Sequence, residues 1–134
     1  MELKQFEDLE IWQEARRLSK EIIFISKNTG LNNDFKLKEQ IKNSSGSVMD
    51  NIAEGFERNG NGEFRQFLSI AKGSAGEARS QLYRVFDNDY INEEQLTLLV
   101  SDYEKLSIKL HNFINYLNNN DYKGTKFIEN KRQL

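Results

Sequence analysis

The chain has 134 residues, 30% of them charged, and a net charge of −2. This is the size of one domain, and the charge balance argues against a strongly basic nucleic-acid coat. It contains no Cys and one His, so disulfides, thiolate catalysis and Cys-ligated metals are excluded, and a His-pair mechanism is not expected. The absence of Pro favours long uninterrupted helices over a many-turned β-sandwich.

Neither a membrane span nor a leader is visible in the sequence. The longest apolar run, residues 22–25, has four residues, far too few to cross a bilayer. Met1 leads into Glu2, Lys4 and Glu7 rather than into a basic and then apolar signal. We therefore expect a soluble cytoplasmic protein that does not contact a membrane.

The first of four segments with helical periodicity covers about residues 8–28. We predict Asp8 as its N-cap and Gly30 in the left-handed position after its end. The apolar residues step by four and three, which makes one continuous stripe: Ile11, Ala15, Leu18, Ile22 and Ile25.

The second predicted helix covers about residues 35–56. Its inner face carries Leu37, Ile41, Ser45, Val48 and Ile52. The central segment 44–47, Ser-Ser-Gly-Ser, has poor helix propensity. We interpret these small residues as a place where a neighbouring backbone packs closely, and a break in the helix is the alternative.

A turn at residues 59–62, Asn-Gly-Asn-Gly, separates the second helix from the third. The third helix is predicted over 62–87, with the stripe Phe64, Leu68, Ala71, Ala75, Ala78, Leu82 and Val85. The fourth is predicted over 93–119, with Asn92 as N-cap and Gln95 as its capping-box partner. Its heptad stripe is Leu96, Leu99, Tyr103, Leu106, Leu110, Phe113 and Leu117.

These four helices predict an all-α protein. Because the connections are short, each helix should run antiparallel to the next, giving an up-down-up-down four-helix bundle over residues 1–120. Residues 121–134 are polar and show no periodicity, so we predict a flexible tail.

The residues that could support catalysis are few. His111 has no Glu-x-x-His partner of the kind that di-iron bundles use, since Glu104 lies seven residues upstream. The Gly residues near position 60 do not match a phosphate-binding loop. We expect no catalytic residue, no metal, no cofactor and no enzyme activity.

A row of cations recurs every seven residues from the turn through the third helix. Its members are Arg58, Arg65, Lys72 and Arg79. Small residues share this face, which the pattern places opposite the apolar stripe: Ser69, Gly73, Gly76 and Ser80. The row is a candidate nucleic-acid-binding surface. The alternative is a solvated face, or salt bridges to acids on a neighbouring helix or subunit.

Some apolar residues lie outside the predicted stripes. Phe67 and Ile70 widen the apolar arc of the third helix, and Trp12 lies beside the stripe of the first. They form a candidate subunit interface, and the alternative is that they fill the core.

Three stretches carry a resemblance to a known family. They are residues 6–15, residues 40–56, which include Asn-Ile-Ala-Glu-Gly at 51–55, and residues 63–77. Together they resemble the bacterial four-helix-bundle proteins encoded in intervening sequences of 23S rRNA genes. The accessory variability determinant of diversity-generating retroelements is similar and belongs to the same superfamily.

The resemblance implies a homo-oligomer, a pentameric ring, and association with RNA or DNA, with a reverse transcriptase as a further partner in the retroelement type. We therefore predict a non-enzymatic oligomeric bundle that associates with nucleic acid or a ribonucleoprotein. The alternative is a protein-interaction scaffold or a reverse-transcriptase accessory subunit without catalysis of its own.

Four polar residues of the resembling segments lie beside packed seams. Asn51 and Glu54 are one turn apart, as are Ser74 and Glu77, and Glu54 stands in the favourable order four residues before Arg58. Polar groups in such places hydrogen-bond across a seam and fix helix register. We interpret all four as structural rather than catalytic.

Overall fold

The computed structural model describes residues 3–120, so the predicted tail over 121–134 lies outside the described residues. Four helices make up the fold: α1 (Glu10–Asn28), α2 (Phe35–Glu57), α3 (Asn61–Asp87) and α4 (Glu93–Asn118). One 3₁₀ turn, Phe6–Asp8, precedes α1, and another, Gly30–Asn33, joins α1 to α2.

The helices pack in chain order, α1 on α2, α2 on α3 and α3 on α4, and α1 also meets α4. This confirms the predicted antiparallel four-helix bundle. All four predicted stripes are buried and form one core, because each presents its apolar residues on a single side of its helix. Ion pairs bridge the α1–α4 seam, with Arg17 Nη2 2.9 Å from Asp102 Oδ2 and Lys109 Nζ bonded to Glu10.

The start of α1 differs from the prediction. Asp8 closes the 3₁₀ turn, and its Oδ2 accepts hydrogen bonds from the backbone nitrogens of Lys4 (3.2 Å) and Gln5 (3.3 Å). Leu9, in an extended conformation, is the N-cap of α1 and offers no side-chain oxygen. The Asp8 carboxylate therefore satisfies the backbone that precedes the helix rather than α1 itself.

The predicted left-handed Gly30 is also wrong. Among residues 3–120, Gly60 is the glycine with positive φ (125°), whereas Gly30 opens the 3₁₀ turn. A Cβ on Gly30 would lie 2.9 Å from the Tyr90 ring, so glycine is required for close approach. The Tyr90 hydroxyl donates to Asp34, the N-cap of α2, over 2.9 Å. The α3–α4 connection is thereby fastened to the α1–α2 connection.

The serine-rich centre of α2 is helical throughout, so the alternative of a break is wrong. Buried Ser44 donates to Gln81 of α3, and the hydroxyls of Ser47 and Ser74 are 2.9 Å apart. Gly46, however, has no atom within 4 Å of the position that a Cβ would occupy. The tight backbone approach occurs instead at Gly55, where a Cβ would lie 2.7 Å from the Cβ of Phe67.

The turn between α2 and α3 is shorter than predicted, because Asn61 and Gly62 already belong to α3. Asn61 Nδ2 donates to the carbonyl of Leu117, 3.0 Å away, which holds the start of α3 against the end of α4. The predicted capping box of α4 is confirmed. Asn92 Oδ1 accepts from Gln95 N at 2.8 Å, and Gln95 Oε1 accepts from Asn92 N at 2.9 Å.

Candidate nucleic-acid interface and assembly surfaces

The predicted row of four cations divides between two sides of the bundle. Arg58, the C-cap of α2, pairs with Glu54 at 2.8 Å and with Glu63 at 3.7 Å. Its guanidinium also lies 5.2 Å from the centroid of the Phe67 ring. The hydrogen bond that Arg58 donates to Glu54 raises the pKa of Arg58. Arg58 therefore lies on the α2–α3 side, with its charge largely matched by carboxylates.

Arg65, Lys72 and Arg79 stay together on the flank of α3 that faces α4. Arg65 Nη1 donates to Asn118 Oδ1 near the end of α4, and Arg65 and Arg79 are half-buried. The prediction that the row lies opposite the apolar stripe is therefore wrong. The row borders the core on one flank, and α4 forms the facing wall.

An open groove runs between this flank and α4, with a volume of about 680 Å³. Small side chains on α3 keep it wide, since a Cβ on Gly73 or Gly76 would meet nothing within 4 Å. Its lining residues come from both helices: Ser69, Lys72, Gly73, Gly76, Arg79, Ser107, His111, Ile114 and Asn115. The groove is therefore open to solvent and reachable by a large ligand.

The charge of the groove is positive. Neither Lys72 nor Arg79 forms an ion pair with any residue between 3 and 120. Glu104 lines one end beside Lys72 and Arg79. His111 Nε2 lies 3.2 Å from Asn115 Nδ2 on the α4 wall. Together with Arg65, the groove presents three guanidinium or ammonium groups against one carboxylate.

The three residues of the candidate subunit interface have different surroundings. Phe67 is half-buried against Gly55, whereas Ile70 is 48% exposed. Trp12 is half-buried, with its ring edge-to-face with Phe6 at 5.2 Å and the Arg16 guanidinium 5.8 Å from its centroid. Ile70 is therefore the most available apolar side chain of the three.

The four polar residues of the resembling segments fall into two groups. Asn51 Nδ2 donates to the Ser47 carbonyl (2.8 Å) and to Ser47 Oγ (2.9 Å), and this hydroxyl in turn contacts Ser74. Glu54 pairs with Arg58, while exposed Glu77 has no hydrogen bond or ion pair to residues 3–120.

Sequence reasoning missed the residues that complete the cross-helix contacts. Ser47 links Asn51 to Ser74, and Gln81 is the buried partner of Ser44. Gln81 lies three residues after Ala78 and one before Leu82, so its place beside the apolar stripe was a signal in the sequence.

Within residues 3–120, no three His, Asp or Glu side chains come together as a metal site. Nor does any helix in this region have the length and apolar content that crossing a bilayer requires.

The chain is similar to known proteins in sequence and in fold. Residues 7–112 match the sequence profile of the family described as 23S rRNA-intervening sequence protein. A crystal structure of a protein with unknown function from the S23 ribosomal protein family of Bacteroides thetaiotaomicron superposes with a TM-score of 0.70. The two are 24% identical, and the alignment covers 78% of this chain and 97% of the other, which supports the fold. No curated protein matches the chain.

Proposed function

The chain belongs to the 23S rRNA-intervening sequence protein family, and on that premise we propose that it is a non-enzymatic homo-oligomeric bundle that binds nucleic acid in the α3–α4 groove. The observation that supports this most is the flank carrying Arg65, Lys72 and Arg79. Its cations recur every seven residues, about 10.5 Å apart along the helix, and none of the three has an acidic partner within residues 3–120.

The shape of the groove suits a phosphate backbone. Gly73 and Gly76 leave open space between the cations, so a bulky polyanion is able to approach them closely. Ser69 and Ser107 add hydroxyl donors along the walls. Such contacts position a backbone and carry no sequence information, so we expect binding with little sequence preference.

Three cations per chain give weak binding alone. Each neutralised phosphate contributes through counterion release, and so few contacts are not enough for useful affinity at physiological salt. An assembly repeats the groove around its surface, and linked grooves act at a high effective concentration on one strand. Self-association is therefore part of the proposed function.

The groove also supports a role without catalysis. Its single imidazole, His111, faces the amide of Asn115, and Glu104 is the one carboxylate at the groove. A general acid and base need to converge on one reacting atom, and this groove offers an alternation of cations and small residues instead.

The test is binding of fluorescently labelled single- and double-stranded RNA and DNA at low and moderate salt, by anisotropy. The variant Lys72→Ala/Arg79→Ala should bind less tightly, and the slope of log K against log salt should flatten by about two, one for each lost phosphate contact. The matched control is Lys36→Ala/Arg84→Ala, which removes the same charge from the α2–α3 side and should behave as wild type.

No binding at low salt, or identical slopes for the groove variant and its control, would contradict the nucleic-acid proposal. The scaffold function would then be favoured, with Arg65, Lys72 and Arg79 as a solvated face.

A further inference from the structure

The region between α2 and α3 contains the two Asn-Gly dipeptides of the chain, Asn59-Gly60 and Asn61-Gly62. An asparagine that precedes a glycine is prone to spontaneous deamidation, because glycine has no Cβ to hinder the attack of its backbone nitrogen on the asparagine side chain. From the sequence alone, the two dipeptides are equivalent. Their surroundings in the fold are very different.

The side chain of Asn59 is free to react. Asn59 is exposed and lies outside the helices, between the end of α2 at Glu57 and the start of α3 at Asn61. Its carboxamide forms no hydrogen bond with residues 3–120. The carboxamide is therefore able to turn toward the next backbone nitrogen without first losing a contact.

The backbone nitrogen of Gly60, which is the nucleophile in this reaction, is free as well. Its N–H donates to no acceptor in the part of the chain that the structure describes. Gly60 is the N-cap of α3 and offers the first amides of that helix no side-chain acceptor. The positive end of the helix dipole therefore lies beside the reacting peptide bond, where it stabilises the negative charge that develops during the attack.

Asn61 is held in place. It is half-buried as the first residue of α3, and its Nδ2 donates to the carbonyl of Leu117, 3.0 Å away, and to the carbonyl of Asn120. Deamidation requires this Nδ2 to leave and the carboxamide to turn toward the nitrogen of Gly62. Both hydrogen bonds and the first turn of α3 must therefore open before Asn61 reacts.

From this difference we propose that Asn59 is a site of spontaneous deamidation in the folded protein and that Asn61 is protected. The Gly60 nitrogen gives up its proton and bonds to Cγ of Asn59. The Cγ–Nδ2 bond breaks, and ammonia carries away Nδ2 together with a proton equivalent to the one that Gly60 lost. Water then opens the cyclic succinimide at either of its carbonyl carbons, which leaves aspartate or isoaspartate at position 59.

Either product changes the charge of the region between α2 and α3. One negative charge is added to the net charge of −2, directly after Arg58 in the chain. Isoaspartate also lengthens the backbone between the two helices by one methylene group. The site is thus a modification that alters both charge and connection at one end of the bundle, and it needs no enzyme or cofactor.

The test is prolonged incubation of the full chain at neutral pH and physiological temperature, followed by mass spectrometry. Cleavage after Arg58 and Arg65 releases one peptide, residues 59–65, that contains both asparagines, and fragmentation assigns the modified position. We expect a mass gain of one dalton at Asn59 that grows with time, and none at Asn61. A sample digested without incubation corrects for deamidation during digestion.

The same incubation in concentrated urea is the matched control for the role of the fold. The unfolded chain lacks the hydrogen bonds of Asn61 to Leu117 and Asn120, so both asparagines should react there. Comparison of the two incubations separates protection by structure from the intrinsic reactivity of each dipeptide.

Two variants confirm the assignment. Asn59→Gln should abolish the mass gain, because the same attack on glutamine has to close a less favourable six-membered ring. Asn59→Asp carries the charge of the product, so incubated wild-type protein should move to its elution position on an anion-exchange column. Circular dichroism of both variants confirms that the helices are intact.

Equal rates at the two asparagines of the folded chain, or a faster reaction at Asn61, would overturn the proposal. A folded chain that stays unmodified at Asn59 while the urea-treated chain reacts would overturn it too. The reaction depends neither on nucleic acid nor on the number of copies, so its outcome is independent of the proposed function.

Discussion

At the scale of single residues, Tyr103 is the least satisfied group of the core. Its side chain is fully buried in α4, and its hydroxyl finds no hydrogen-bond partner among residues 3–120. Burial raises the pKa of this phenol, while the charge of Arg17 acts in the opposite direction. A buried hydroxyl without a partner lowers stability by about 1–3 kcal/mol relative to a satisfied one.

We predict that Tyr103→Phe increases the free energy of unfolding by about 1 kcal/mol, because it removes the unpaired hydroxyl and keeps the ring. Urea titration measures this. The matched control is Tyr83→Phe, at a residue 49% exposed, which should leave stability unchanged. A loss of stability in Tyr103→Phe would show that the hydroxyl does have a partner.

The same residue sets a pH dependence. The folded chain holds the Tyr103 proton more tightly than the unfolded chain, so this contribution to stability is complete below the unfolded pKa of about 10. It declines as the pH rises above that value. Tyr103→Phe should therefore show a shallower loss of stability than wild type between about pH 10 and 11.5 in urea titrations.

At the scale of helices, features that depend on residues close in sequence were predicted well, and contacts between elements were not. The capping box of α4 needs only Asn92 and Gln95, three residues apart, and was read directly from the sequence. Asp8 is also a residue type that caps helices, but its carboxylate accepts hydrogen bonds from the backbone at the 3₁₀ turn before α1. Gly30 matches a helix stop in sequence, whereas its actual role depends on Tyr90, sixty residues away.

Asn92→Ala should lower the free energy of unfolding by about 1 kcal/mol, because it leaves the first amides of α4 without their acceptor. Thermal or urea unfolding measures the change. Asn112→Ala, at an exposed position inside α4, is the matched control and should raise stability by about 0.5 kcal/mol through helix propensity. Equal effects of the two substitutions would contradict the role given to the cap.

The cation row of α3 shows a limit of periodicity. A seven-residue repeat places Arg65, Lys72 and Arg79 on one flank, as the structure shows. The repeat does not say which neighbour that flank meets, so the groove with α4 was not predicted. Arg58 has the same spacing but belongs to the end of α2, where the chain turns and the helical phase is lost.

At the scale of the whole molecule, the four-helix architecture follows from the four apolar stripes and three short connections. The polar contacts that fix how the helices align along their length do not follow from these features. Ser44 with Gln81, and Ser47 with Ser74, depend on the axial register of α2 against α3. Register comes from side chains that meet across a seam. The periodicity of one sequence does not reveal which side chains those are.

Assembly is the central claim, because the groove of a single chain has too few cations to bind a nucleic acid usefully. Repetition of the groove by self-association is what makes binding effective. The proposed function therefore depends on the number of copies in solution.

Light scattering of the wild-type chain at micromolar concentration and moderate salt tests this most directly. The account predicts a single species with a mass several times the chain mass of 15.7 kDa. A mass of 15.7 kDa at every concentration and salt would contradict the account.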